Sequence, residues 1–333
     1  MPEIREITDR EEYIQGLSAV EASFLQSWEY GQLQQQLGHT PLYLGVFEGT
    51  SLIQSILFIL FKAKRGTYLF CPYGVHDAAQ MKTLIPFLKE YGKAHNVDFI
   101  RMSPLLDDTP EHKALFKEYG FKNAPVHMMH PELLWLLDID KEEDEIMKQM
   151  RKNTRYYVRR ASKDGVTIKS GATQEMLDQF YAIHSETARR QGFVPYSKKF
   201  LDAQLAVFGP KDQIKVFLGM YEGKAIAAAV IMYYGNEGAY HHGASLSEYN
   251  KIPASYLIQW EAIKEAKSRG MTRYNFWGVV ENAPKHPWAG LSFFKKGFGG
   301  EGREILHCQD LPLTSKYWFN WLVETIRRIK RGY

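Results

Sequence analysis

One strand–turn–strand signature is written twice in this 333-residue chain, and that repetition restricts the fold more than any other feature. The first copy is Leu42-Tyr43-Leu44-Gly45-Val46-Phe47-Glu48-Gly49, followed by Leu52-Ile53. The second is Val216-Phe217-Leu218-Gly219-Met220-Tyr221-Glu222-Gly223, followed by Ile226-Ala227. Each reads as a strand, a tight turn at Glu-Gly and a returning strand. The correspondence continues in the same order. Phe99-Ile100-Arg101-Met102-Ser103-Pro104 answers Tyr274-Asn275-Phe276-Trp277-Gly278-Val279, and Phe116-Lys117-Glu118-Tyr119-Gly120-Phe121 answers Phe294-Lys295-Lys296-Gly297-Phe298. Near-constant spacing predicts a duplicated α/β (α+β) domain and directs attention to the cleft between two halves.

Length allows one large domain or two and the repeat decides for two; with apolar residues at 45% and aromatics at 14% of the chain, each half can bury a core. Two cysteines, Cys71 and Cys308, make no disulfide framework and suit a reducing cytoplasm. The charged opening M-P-E-I-R-E-I-T-D-R-E-E does not read as a signal peptide, and none is expected. The longest apolar run, 52–61, contains Gln54 and Ser55 and is too short to span a bilayer. The net charge of +4 informs only where it clusters.

The pattern predicts helices at 9–17 and 27–37, the latter with Ser27 as N-cap and Gly38 just past its end. Strands follow at 43–47, 52–61 and 66–70, a helix at 78–95, a strand at 98–102 and a helix at 111–119. A strand at 135–137 is expected to close the first half. Asp140, with Glu143 three residues on, is expected to open the longest helix, ending near Lys163 before Gly165. The second half then repeats the plan: helix 174–191, strands 214–221, 225–234 and 237–244, helix 255–269 and strand 272–277. A last helix covers 313–330. The expected domains are 1–140 with 312–333, and 141–311.

The helix 140–163 carries Lys148, Arg151, Lys152, Arg155, Arg159, Arg160 and Lys163. Lys148, Lys152, Arg155 and Arg159 fall on one stripe, suited to a row of phosphates. The competing reading is a solvated face whose cations favour the negative helix end. Lys295 and Lys296, in G-L-S-F-F-K-K-G-F-G-G-E, are surface snorkellers or a cation held in a cleft. Trp28, Tyr30 and Tyr73 stand beside glycines at element ends and read as pocket lining or as core. Metal binding is not expected. His241 and His242 are adjacent in a strand and should face opposite ways, and His127 and His130 have no cysteine near. No nucleophile elbow, Walker loop or dinucleotide fingerprint is present. The last helix, with Trp318, Trp321, Leu322 and Ile326 followed by Arg327, Arg328, Lys330 and Arg331, either packs its apolar face on the protein or grazes an anionic membrane.

Several of these segments together resemble the FemABX family of peptidoglycan bridge aminoacyltransferases, over nearly the whole chain. They are F-L-Q-S-W-E-Y-G (24–31), Tyr73-Gly74, M-R-K-N-T-R-Y-Y-V-R-R-A (150–161) with Gly165-Val166, T-A-R-R-Q-G-F (187–193), R-Y-N-F-W-G (273–278) and F-F-K-K-G-F-G-G-E (293–301). The resemblance implies two tandem GNAT-like domains, each with a mixed sheet, and a last helix that returns to the first. Gly192 leads through Val194-Pro195-Tyr196 to Lys198-Lys199, so the chain is similar to the short form without a helical hairpin. The implied reaction moves an amino acid from aminoacyl-tRNA, a co-substrate with no other cofactor, to an amine of a lipid-linked or UDP-linked peptidoglycan precursor. Lys295, with Phe294 beside it, is the implied catalytic cation. Trp28, Tyr30, Tyr73, Arg101, Ser103, Tyr196, Lys198, His242 and Tyr256 are the implied substrate binders. Lys148, Arg151, Lys152, Arg155 and Arg159 would meet tRNA, or would brace the domain junction. A cytoplasmic protein, at most touching the inner membrane face and not binding DNA, is expected.

The chain departs from the family pattern in three places. His39-Thr40-Pro41 stand where a lysine is common, Tyr196-Ser197 where a basic residue is common, and Ser103 where an aspartate is common. An acceptor other than a soluble nucleotide-linked precursor is thereby left open. So are two other functions: a GNAT N-acyltransferase using acyl-CoA, although no R/Q-x-x-G-x-G/A loop occurs, and a non-catalytic binder of tRNA or precursor.

Overall fold

The computed structural model describes residues 2–18, 21–75, 77–126 and 128–330. His127 and Arg331, singled out above, lie outside them. The chain divides into two compact units, Met1–Glu132 with Glu304–Tyr333, and Leu133–Arg303.

In the first unit β1 (Pro2–Glu6), β2 (Thr40–Glu48), β3 (Ser51–Ala63), β4 (Gly66–Pro72), β5 (Phe99–Ser103) and β6 (Lys122–Asn123) lie in one sheet. The order is β1-β2-β3-β4-β5, then strand Gln309–Pro312, then β6. The β2–β3 hairpin turns where expected, with Gly49 in the left-handed region at φ 62°. Among the described residues only β4 and β5 run parallel there, joined across helix Met81–Ala94. That helix buries Met81, Leu84, Ile85 and Leu88, a helical spacing, against a core containing Leu44, Phe58, Leu69 and Ile100.

In the second unit β7 (Leu133–Asp138), β8 (Thr167–Gly171), β9 (Ile214–Tyr221), β10 (Lys224–Tyr234), β11 (Glu237–Ser245), β12 (Arg273–Gly278) and β13 (Glu301–Glu304) form the other sheet. Its order is β8-β9-β10-β11-β12-β7-β13, with β11 and β12 running parallel. Among the described residues the two orders are the same, place for place. The sixth place is the exception in origin: the first sheet fills it with Gln309–Pro312, hereafter β14, and the second fills it with β7. The strand expected to close the first half therefore pairs with β12, Leu137 opposite Tyr274. A lone apolar strand fits either of two equivalent places, and pattern alone cannot choose between them.

The expected helix 140–163 is two helices, Glu143–Gln149 and Lys152–Lys163. Met150 and Arg151 between them are extended, at ψ 149° and 148°. The break turns Met150 into the core. The Arg155 guanidinium reaches back to the carbonyls of Lys148 and Met150, which the broken helix leaves without amide partners. Glu142, not Asp140, is the N-cap, and its side chain makes no capping bond. Lys148 is thereby removed from the stripe of Lys152, Arg155 and Arg159. Helices Lys198–Phe208 and Ala289–Lys296 and strands β1, β8, β13 and β14 were not foreseen.

Candidate active site

The second unit's parallel pair is short. β11 and β12 are in register only from Glu237 opposite Arg273 to Ala239 opposite Asn275. Two local devices end it. On β11, Val230 of the neighbouring strand faces His242 and Ile231 faces Tyr240, so His241 is an extra residue in a bulge. On β12, the Asn275 carboxamide oxygen accepts the Trp277 N–H at 2.7 Å, and Trp277 sits left-handed at φ 65°. The bulge also corrects the reading of the two histidines. Their ring centroids are 3.9 Å apart, not on opposite faces.

Lys295 points to where these strands end. Its ammonium donates to the Gly278 carbonyl at 2.7 Å and lies 5.6 Å from the Tyr240 ring centroid. The residue is 5% exposed, and among the described residues no carboxylate forms an ion pair with it. Burial pulls its pKa down from 10.5 to about 7. Lys296, next along, is half-buried but neutralised: it pairs with Glu281 and caps the Trp135 ring at 4.8 Å.

The helix that carries Lys295 is fixed at several points. Ser292 Oγ accepts the Val280 N–H at 2.9 Å, holding the segment after β12. Phe294 meets Tyr256 edge-on at 4.8 Å and Phe298 at 5.4 Å. The Arg151 N–H donates to the Gly297 carbonyl at 2.8 Å, and its guanidinium lies 4.6 Å from the Phe293 ring centroid. The glycines of F-K-K-G-F-G-G are sterically required at Gly300, where φ is 86° and a Cβ would stand 2.3 Å from the Leu136 carbonyl oxygen. Phe294, Tyr256 and Arg151 thus act on the position of Lys295.

Beside the bulge, His242 lies 4.9 Å from Tyr196 and 5.9 Å from His184, ring to ring. Burial holds the His242 imidazole well below its usual pKa, with His241 and His184 adding to the effect. Sequence reasoning missed His184, Tyr240 and Gly278. Only the Asn275-x-Trp277-Gly278 turn carried a local signal for that region. Lys198 is held between Asp178 at 2.8 Å and Asp202 at 2.7 Å, which cancels the charge a phosphate contact would use. Lys148, Lys152 and Arg159 are exposed.

In the first unit Trp28 stacks on Tyr43 at 4.0 Å, and Tyr43 donates to the Trp28 carbonyl at 2.9 Å. Tyr30 is buried, and its N–H is capped by Ser27 Oγ at 3.0 Å. Tyr73 is buried and left-handed at φ 50°, and its hydroxyl donates to the Pro131 carbonyl. Gln26 fixes that turn by donating to the Pro72 carbonyl at 2.6 Å. Ser103 is buried at the end of β5, opposite Pro72. Arg101 is committed elsewhere: both arms of its guanidinium reach Asp310 at 2.7 Å, and Nη2 reaches Glu324 at 2.8 Å. Arg101 is therefore a clamp between β5, β14 and helix Lys316–Lys330, with little left to offer a ligand.

Comparison with known proteins agrees with this geometry. An acetyltransferase (GNAT) domain model matches residues 148–288. The crystal structure of FemX superposes with a TM-score of 0.84 at 19% identity, covering 97% of this chain and all of that one. The two units are tandem GNAT-like domains. A UDP-N-acetylmuramoylpentapeptide-lysine N(6)-alanyltransferase of Weissella viridescens is 23% identical, over 77% of this chain and 82% of its own. Relatives of this chain are thus Fem-type peptidoglycan bridge transferases. A Lipid II:glycine glycyltransferase of Staphylococcus aureus is 24% identical, over 66% of this chain and 70% of its own. The Fem-type resemblance spans both units, whereas the GNAT model stops seven residues before Lys295.

Proposed function

We propose that this chain is an aminoacyltransferase that passes an amino acid to an amine on the stem peptide of a peptidoglycan precursor, with aminoacyl-tRNA as donor. The observation that carries the reading is Lys295, a buried cation with no carboxylate partner among the described residues, held where the parallel strands end. The names of the Weissella and Staphylococcus relatives, alanyl and glycyl transfer onto cell-wall precursors, support the substrate class.

The chemistry asks for placement and charge. The acceptor amine's lone pair attacks the ester carbonyl carbon of the donor. A C–N bond forms and the carbonyl oxygen becomes negative. Collapse breaks the C–O bond to the ribose, whose oxygen leaves with the proton the amine gives up. The ester is already activated, so no protein nucleophile is required. In this reading the Lys295 ammonium faces the developing oxyanion from a water-poor position, where one fixed donor is worth about 3 kcal/mol. Phe294 and Tyr256 are positioning residues, Tyr196 and His242 contact substrate, and the exposed Lys148, Lys152 and Arg159 meet tRNA phosphates.

The test is transfer of labelled amino acids from a mixed charged-tRNA pool to lipid-linked and nucleotide-linked precursors, wild type beside Lys295→Ala. Transfer that collapses in the variant supports the reading and identifies the acceptor. Absence of transfer to both acceptors would sink it.

A further inference from the structure

Helix Lys316–Lys330 presents its apolar side outward. Tyr317 and Asn320 are buried, and Glu324 is bound to Arg101. On a helix these three share one face with Trp321 and Arg328. Trp318, Phe319, Leu322, Ile326 and Ile329 share another, within an arc of about 100°. All five are between 43% and 66% exposed. Of the two readings given above for this helix, packing of the apolar face on the protein does not hold for these five side chains. Five large apolar side chains on one solvent strip go beyond the scattered exposure of an ordinary surface.

On this helix the charges outside the inner face are all positive. Lys330 borders the strip, Lys316 and Arg327 occupy the flank between it and the inner face, and the Lys122 ammonium lies 5.9 Å from the Trp318 ring. The helix has a single acid, Glu324, and it is spent on the inner face. A second copy meeting this face by a two-fold would bring like charges together. An anionic surface with an apolar interior complements both features. No helix among the described residues is long and apolar enough to cross a membrane, so such contact would lie in the interfacial plane.

We propose that helix Lys316–Lys330 seats this chain on an anionic lipid bilayer, its aromatic and aliphatic strip entering the headgroup region and its cations meeting lipid phosphates. The inference uses no residue assigned to transfer and stands whether or not the transfer reaction does. It is tested by flotation of the full chain with vesicles of phosphatidylcholine alone or of equal parts phosphatidylcholine and phosphatidylglycerol. Wild type should float with the anionic vesicles and release as salt rises. A Leu322→Glu/Ile326→Glu variant should lose more than about tenfold in partitioning. A Lys316→Gln/Arg327→Gln/Lys330→Gln variant should lose about fivefold per cation removed. Both variants change exposed side chains, and an unaltered melting curve checks their folding. Wild type that stays off anionic vesicles, or an apolar variant that binds like wild type, would overturn the proposal. So would a wild-type dimer in sedimentation equilibrium that the apolar variant abolishes, since the strip would then belong to a second copy.

Discussion

Two buried cations, one in each GNAT-like unit, are treated in opposite ways. Arg101 is closed in by Asp310 and Glu324, from strand β14 and the last helix. Lys295 is equally hidden but, among the described residues, has only a backbone carbonyl and an aromatic ring. The strands around them differ in the same sense. In the first unit the parallel pair β4–β5 stays in register to its last residues, Pro72 opposite Ser103. In the second the pair stops at Ala239 opposite Asn275. One fold thus serves twice, once as a closed frame and once as an open one. A neutralised cation holds structure, and an unneutralised one retains charge for chemistry.

Removing each cation should separate these roles. Arg101→Ala leaves Asp310 buried without its partner and should cost about 3–5 kcal/mol of stability, read by denaturant unfolding. Lys295→Ala should leave the fold nearly as stable and slow transfer on the order of a hundredfold, about 3 kcal/mol of barrier. If Lys295→Ala instead unfolds the chain while Arg101→Ala melts like wild type, the contrast is broken. The cationic form is the one that faces an oxyanion, so the fall in kcat/KM above about pH 7 should be present in wild type and gone in Lys295→Ala.

The same pKa makes a stability forecast of smaller size. Folded Lys295 titrates at about 7, against 10.5 as the unperturbed value. Between these values the unfolded chain holds a proton that the folded chain has lost, so stability rises with pH through that window. Below it the buried charge is destabilising. Lys295→Met should therefore be more stable than wild type at pH 6 by about 2 kcal/mol, after the lost bond to Gly278 is counted. The gap should close as pH rises through the window, and chemical denaturation at pH 6 and pH 10 would reveal it. The smallest effect expected is at the surface. Lys152→Gln and Arg159→Gln should each weaken charged-tRNA binding about threefold at low salt and reduce its salt slope. Equal binding by wild type and both variants would return those cations to a solvated face.

Local pattern made the repeat, the Ser27 cap, strand β9 and helix Gln174–Gln191 legible, because hairpin turns and apolar periodicity are written in adjacent residues. It also pointed to Lys295, by its aromatic and glycine neighbours, without showing that the ammonium is buried. The rest depended on distant partners. Asp310 is 209 residues from Arg101, so the clamp had no sequence signature. The break at Met150–Arg151 is imposed by burying Met150, which overrides an otherwise helix-favouring stretch. The bulge at His241 exists only against its neighbour strand β10 and cannot be read from β11 alone.

The crossed origin of β7 and β14 gives the molecule an order in time. The ribosome delivers β7 before the other strands of the second sheet, so that sheet has every strand once β13 has emerged. The first sheet, although begun earlier, has an empty place between β5 and β6 until β14 arrives. Tandem domains usually complete themselves in the order they are made. Here the later half is finished first, and the nascent first half waits with two unpaired edges for a strand encoded nearly two hundred residues downstream.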